Sequence, residues 1–195
     1  MAEFVVAITG ASGAAYGLGL IRSLAGYGHT VHVVVSKGGA RVLKHECNLS
    51  INPKAPDEDV LFPVHPERLR PHSFTNYGAT VASGSYPVDG MAICPASMGT
   101  IGRVAAGTGE NLVARAADVC LKEGRRLVVV PREAPLSLVQ LRNLVTLREA
   151  GAVVLPASPG FYHAPQSVDD LVDFVVARCM EQLGVEQRMI DPWQG

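Results

Sequence analysis

Five short apolar runs, each followed by small or turn-forming residues and then by a stretch with helical spacing, constrain this chain more than any other feature. Phe4 to Ile8, Val31 to Val35, Met91 to Cys94, Leu127 to Val130 and Ala152 to Leu155 read as strands, and residues 14–26, 37–46, 98–106, 111–123, 136–150 and 168–184 as helices. Strands that are apolar throughout, without alternation, are covered on both faces, which is the habit of parallel sheets. Strands and helices taking turns predict an α/β chain built on a single doubly wound, mostly parallel sheet. With 195 residues and 48% hydrophobic content the chain can fill one core and not two. Residues 1–195 are therefore expected to form one domain, with a C-terminal tail from about 185. Asn48 to Ser73 breaks the pattern: it is polar and holds Pro53, Pro56, Pro63, Pro66 and Pro71. It predicts a surface excursion, with an additional strand near Val60 to Val64.

Charge and cysteine usage narrow the function. A formal net charge of -1 provides no global field for nucleic acid or an anionic membrane, so any positive cluster must be local and suited to a small anion. The start, Met1-Ala2-Glu3-Phe4, has no basic region and no long apolar run behind it, which predicts a cytoplasmic protein. Cys47, Cys94, Cys120 and Cys179 are scattered without a C-x-x-C pair and read as reduced packing residues. The six histidines show no metal spacing.

The chemistry-bearing residues lie at strand ends, where ligands bind in open α/β sheets. The first strand runs into Thr9-Gly10-Ala11-Ser12-Gly13-Ala14, whose small residues let backbone N–H groups approach an anion at a helix start. The G-x-G-x-x-G spacing is absent. Ser36-Lys37 also stands where a dinucleotide fold would place an acid for the ribose, so a nucleotide with one terminal phosphate fits better. Pro95-Ala96-Ser97-Met98-Gly99-Thr100 repeats the arrangement after the next strand, and Ala82-Ser83-Gly84-Ser85 is a further small, polar segment. In Pro131-Arg132-Glu133-Ala134-Pro135 two prolines fence an ion-bearing pair on a preset backbone. Arg115 and Lys122 share one helix face with Asp118 between them, which reads either as a solvated ladder or as an anion site. The last helix opens with the capping sequence Ser167-Val168-Asp169-Asp170. Arg178 falls on the same face as Leu171, Phe174 and Val175, either snorkelling or meeting a phosphate.

Together these segments resemble the flavin prenyltransferase family (UbiX type). The matching residues are Gly10-Ala11-Ser12-Gly13-Ala14, Ser36-Lys37, Glu46, Ala82 to Ser85, Pro95 to Thr100, Arg115 to Val119, Leu121-Lys122-Glu123, Pro131 to Pro135, Phe161-Tyr162-His163, Pro165-Gln166-Ser167 and Arg178, down to Trp193-Gln194-Gly195. The resemblance implies a Rossmann-like or flavodoxin-like fold and a homo-oligomer, a dodecamer, with sites at subunit contacts. It implies transfer of the dimethylallyl group of dimethylallyl monophosphate to N5 and C6 of reduced FMN, the prenylated FMN passing to a UbiD-type decarboxylase. By the same resemblance Gly10, Ala11, Ser12, Ser36, Ser97, Met98, Gly99, Thr100, Arg115 and Arg132 hold the flavin. Lys122, Arg132, Tyr162 and Arg178 hold the donor phosphate, and Ser12, Glu46 and Glu133 handle protons. No metal is required, because cationic side chains can neutralise a monophosphate. Gly99 stands where the resemblance leads one to expect a lysine. An FMN-dependent decarboxylase of the cysteine-decarboxylase superfamily and a non-catalytic carrier of prenylated FMN are the alternative readings.

Overall fold

The computed structural model describes residues 1–57 and 65–191. The strand expected near Val60 to Val64 and the terminal Trp193-Gln194-Gly195 lie outside the described residues. The elements run β1 (Glu3–Ile8), α1 (Ala14–Gly26), β2 (Thr30–Val35), α2 (Lys37–Cys47), β3 (Leu69–His72), β4 (Gly90–Ala96), α3 (Met98–Ala105), α4 (Leu112–Lys122), β5 (Arg126–Pro131), α5 (Leu138–Glu149), β6 (Val153–Val154) and α6 (Val168–Gln182). Short 3-10 turns occupy Pro66–Arg68 and Thr80–Ala82. The sheet order is β3-β2-β1-β4-β5-β6, and every strand pair among the described residues is parallel, as expected of a doubly wound sheet.

The central strands are apolar throughout because each lends alternate residues to the apolar layers on the two faces of the one sheet. Phe4, Val6, Ile8, Val31, Val33, Val35, Cys94, Val128 and Val130 pack on one face with Leu20, Ile21 and Leu24 of α1 and Val176, Cys179 and Met180 of α6. On the other face Val5, Ala7, Val34, Met91, Ile93, Leu127 and Val129 meet Ile101 of α3, Leu112 and Ala116 of α4 and Leu147 of α5. Burial raises the Cys94 thiol well above its ordinary range, and raises Cys120 to about 11 and Cys179 to about 12, as packing residues require.

β3 went unread in the sequence because Leu69-Arg70-Pro71-His72 has neither alternation nor a free N–H at Pro71. As the outermost strand of the sheet it tolerates a proline, which needs no partner on its open side. It carries His72 against His32, buried in the middle of β2. The His72 Nε2 is 2.9 Å from His32 Nδ1, His32 Nε2 is 3.0 Å from Glu3 Oε2, and the Tyr86 hydroxyl donates to the same oxygen at 2.6 Å. One assignment satisfies every contact: His72 N–H donates to His32, and His32 N–H donates to the Glu3 carboxylate.

Burial first, then the neighbouring His32, lowers the His72 pKa from 6.5 to about 4. The unfolded chain takes up a proton near pH 6.5 that the folded chain refuses until about pH 4, so stability falls as pH falls through that window. The thermal midpoint should drop from pH 7 to pH 5, and His72→Gln should flatten that slope. An equal drop in the variant would place the pH dependence elsewhere.

Candidate active site

The strand order reverses between β1 and β4, and the crevice beyond their carboxyl ends is the natural ligand position in such a sheet. Thr9, a residue the sequence reading passed over, closes its floor. The Thr9 hydroxyl donates to the Pro95 carbonyl at 2.8 Å and accepts the Ser97 N–H at 2.8 Å, locking the two strand ends together. The T-G-A-S order was its only sequence signal. Three helices begin at this edge. Ser36 caps α2 by accepting the Gly39 N–H at 3.0 Å, and Ser97 caps α3, with its hydroxyl 3.0 Å from that of Thr100. A side chain at Gly39 would strike the Ile8 carbonyl, so only glycine lets α2 start against the end of β1.

The start of α1 departs from expectation. Its cap, Gly13, has φ 103° and offers no side chain. The N–H groups of Gly13 and Ala14, expected to receive a phosphate, instead donate to Glu46 Oε2 at 2.9 Å each. Glu46 reaches them from the last turn of α2. Burial works against its charge, but the Ser12 hydroxyl, these two N–H groups and the nearby Arg132 together hold its pKa below the ordinary carboxylate range. Ser12 is thus tied to Glu46, Arg132 lies near enough to act on its charge without pairing with it, and Gly10 and Ala11 are the backbone between β1 and Ser12. The donors left for a flavin phosphate are those around Ser36, Ser97 and Thr100.

Arg132 and Glu133 do not form the pair their adjacency suggested. No ion pair joins them among the described residues; Glu133 is exposed and accepts the Ala134 N–H at 3.1 Å. Arg132 turns inward, where its Nε is shut off from solvent without a hydrogen-bond partner among the described residues. Met98 belongs to the core and contributes backbone alone. Gly99 is exposed, and Arg103, one turn on, donates to its carbonyl at 2.9 Å and pairs with Glu110.

Lys122 and Arg115 sit apart from this cluster. Lys122 ends α4 beside the start of β5, at the opposite edge of the sheet, and pairs with Glu123 rather than Asp118. Both Lys122 and Glu123 press on Gly84, where any side chain would collide with them. The Ser83 and Ser85 hydroxyls lie 2.8 Å apart beside it. Arg125 holds the segment by donating to the Gly84 and Tyr86 carbonyls, and Arg115 donates to the Ala82 carbonyl and to Asp118 at 2.9 Å. The expected ladder is therefore half formed, by Arg115 and Asp118, and Arg115 braces the Ala82–Ser85 segment. Arg178 is exposed and paired with Glu181, not turned to the inner face of α6. Tyr162 packs edge-on against Phe174, one turn before Arg178.

FMN fits these residues on two observations. The buried, unpartnered Arg132 Nε is a donor waiting for an acceptor, and the serine-capped starts of α2 and α3 leave N–H groups at the crevice mouth. Among the described residues no group of three potential metal ligands occurs, and no helix is long and apolar enough to cross a membrane.

The model of the family described as Flavoprotein matches residues 2–180. Flavin prenyltransferase UbiX of Pseudomonas aeruginosa is 45% identical over 98% of this chain and 93% of its own length. Among solved structures, AnUbiX (PadA1) in complex with FMN and dimethylallyl pyrophosphate superposes with a TM-score of 0.88 at 35% identity, covering 100% of this chain and 98% of that one. A dodecameric FMN-dependent UbiX-like decarboxylase from Escherichia coli O157:H7 gives 0.87 at 39% identity, covering 99% and 100%.

Proposed function

The chain belongs to the Flavoprotein family and, within it, to the flavin prenyltransferases of the UbiX type; on that premise we propose how its residues divide the work of prenylating FMN. The reaction joins the dimethylallyl group of dimethylallyl monophosphate to N5 and C6 of reduced FMN and releases inorganic phosphate. Reduced flavin supplies the electron-rich nitrogen and carbon. The observation that carries the reading is the buried Nε of Arg132, without a partner among the described residues, at the end of β5, with Glu46 held on the Gly13 and Ala14 N–H groups at the start of α1.

Each residue has a task its chemistry suits. Ser36, Ser97, Thr100 and Arg132, with the backbone of Gly10, Ala11, Met98 and Gly99, hold the flavin. Ser12, hydrogen-bonded to Glu46, passes a proton along that contact, and Glu133, exposed at the mouth, receives the proton leaving the crevice. Arg132, Lys122, Arg178 and Tyr162 take the charge that builds on the departing phosphate. In one chain Lys122 lies at the far edge of the sheet from Arg132, so the full set requires a second copy. The exposed Leu138, Val139, Leu141 and Val145 of α5, next to Leu136, form an apolar face suited to that contact, in keeping with a dodecamer. The product serves a UbiD-type decarboxylase. A decarboxylase reading for this chain itself is not favoured, because the chain retains Lys122, Arg132, Tyr162 and Arg178, the residues matching the donor-phosphate positions of the prenyltransferases.

Lys122→Ala and Arg178→Ala test the donor site. Both side chains are exposed and their ion pairs with Glu123 and Glu181 contribute little to stability, so the fold should survive. Charge-assisted contacts to phosphate are worth about 1.5–3 kcal/mol each, so calorimetric titration should show donor binding weakened about tenfold or more by each change, with FMN affinity kept. Donor binding equal to wild type in both would return these residues to surface ion pairs.

A further inference from the structure

The segment between β6 and α6 carries Phe161-Tyr162-His163, and the functional reading so far uses only its tyrosine. His163 is the odd residue of that trio. Its ring stacks on Phe174, with centroids 5.2 Å apart and planes 14° from parallel, and meets Tyr162 edge-on at 5.9 Å. Tyr162 in turn meets Phe174 edge-on at 5.6 Å, so the three rings form one closed aromatic group. The chain around them is fixed: Asp170 accepts the N–H groups of Gln166 and Ser167 at 2.7 and 3.1 Å, and the Gln166 amide donates to the Ala164 carbonyl at 2.7 Å.

Both nitrogens of His163 are shut off from solvent, and neither has a hydrogen-bond partner among the described residues. An imidazole in any protonation state carries at least one N–H that needs an acceptor. Left unmet, such a group destabilises the fold, whereas phenylalanine would fill the same flat space with no polar atom to satisfy. Packing alone therefore favours phenylalanine at this position. A buried donor without an acceptor, touching the ring of a residue assigned to phosphate, has the character of a binding group whose partner arrives with the ligand.

We infer that His163 is a further donor-site residue, its ring N–H donating to the phosphate of the prenyl donor beside the Tyr162 hydroxyl. The inference rests on the reading that Tyr162 and Arg178 hold that phosphate. In the free chain the aromatic group stores the imidazole in a dry, preset position. On binding, the anion supplies the acceptor, and the contact is an N–H to a charged oxygen, stronger than one between neutral groups.

The test compares His163→Phe and His163→Gln with wild type and with Tyr162→Phe in the full-length protein, titrating dimethylallyl monophosphate and, separately, inorganic phosphate by calorimetry. His163→Phe should bind both ligands about tenfold or more weakly, keep FMN affinity, and melt no lower than wild type. His163→Gln restores an N–H and should recover part of the lost affinity. In turnover, His163→Phe should raise the donor KM more than it lowers kcat. If His163→Phe binds donor and phosphate like wild type while Tyr162→Phe does not, the histidine is only a packing plate and the inference fails. If Tyr162→Phe is also without effect, it is the donor-site reading that fails. A lower melting temperature for His163→Phe would show that the ring nitrogens are satisfied in the free protein, which also contradicts the inference.

Discussion

Glu133→Gln is expected to cut turnover to prenylated FMN by about 10²–10⁴-fold, the usual worth of a positioned general base, while leaving the fold and FMN content intact. The side chain is exposed and engages one oxygen with the Ala134 N–H, so the amide keeps shape and that contact and removes only the ability to take a proton. Pro131 and Pro135 frame the segment, and neither depends on the charge of Glu133. Single-turnover measurement separates the chemical step from flavin binding and product release. Near-normal turnover in Glu133→Gln would move the base to Glu46. That residue is already committed to Ser12 and to the start of α1, and its lowered pKa makes it the poorer proton acceptor of the two roles it could fill.

Arg132→Met should weaken FMN binding by about a hundredfold, as expected for a residue making more than one charge-assisted contact. Methionine keeps much of the apolar stem while discarding the guanidinium. Because the Nε is buried without a partner in the free chain, its removal should not lower the melting temperature. Glu46 would lose a neighbouring positive charge, so its pKa should rise towards the ordinary carboxylate value. FMN titration by fluorescence quenching and carboxyl titration by NMR report the two effects separately. Unchanged FMN affinity would mean that Arg132 serves the donor phosphate and Glu46 and not the flavin.

The sheet was legible because both faces of each central strand are buried, which leaves a continuous apolar run such as Leu127 to Val130 that nothing else in a soluble chain explains. The start of the last helix was legible from Ser167, whose side chain closes a capping box in the structure, whereas the same device at Ser137 went unread. β3 was not legible, since a four-residue edge strand with a proline carries no periodic signal. At the site, the residue types were readable and their partners were not. Arg132 and Glu133 are neighbours in sequence, yet the backbone at the end of a strand sends adjacent side chains to opposite sides, so the Arg132 Nε is buried while Glu133 is exposed. Glu46 filling the start of α1 could not be foreseen either, because the turn at Gly13 looks the same whether its N–H groups await a phosphate or a carboxylate. Lys122 and Arg178 sit on exposed helix faces whose one-chain partners are Glu123 and Glu181, and no local pattern distinguishes a solvated pair from half of a site completed by another copy.

The central claim is that this chain makes a carbon–nitrogen and a carbon–carbon bond on FMN and releases inorganic phosphate. Purified protein incubated anaerobically with reduced FMN and dimethylallyl monophosphate, then denatured, yields a flavin whose mass reports directly on that claim. The account predicts a flavin heavier than reduced FMN by one C5H8 unit, formed together with an equal amount of inorganic phosphate. Recovery of FMN at its original mass, with the donor unconsumed, would contradict it.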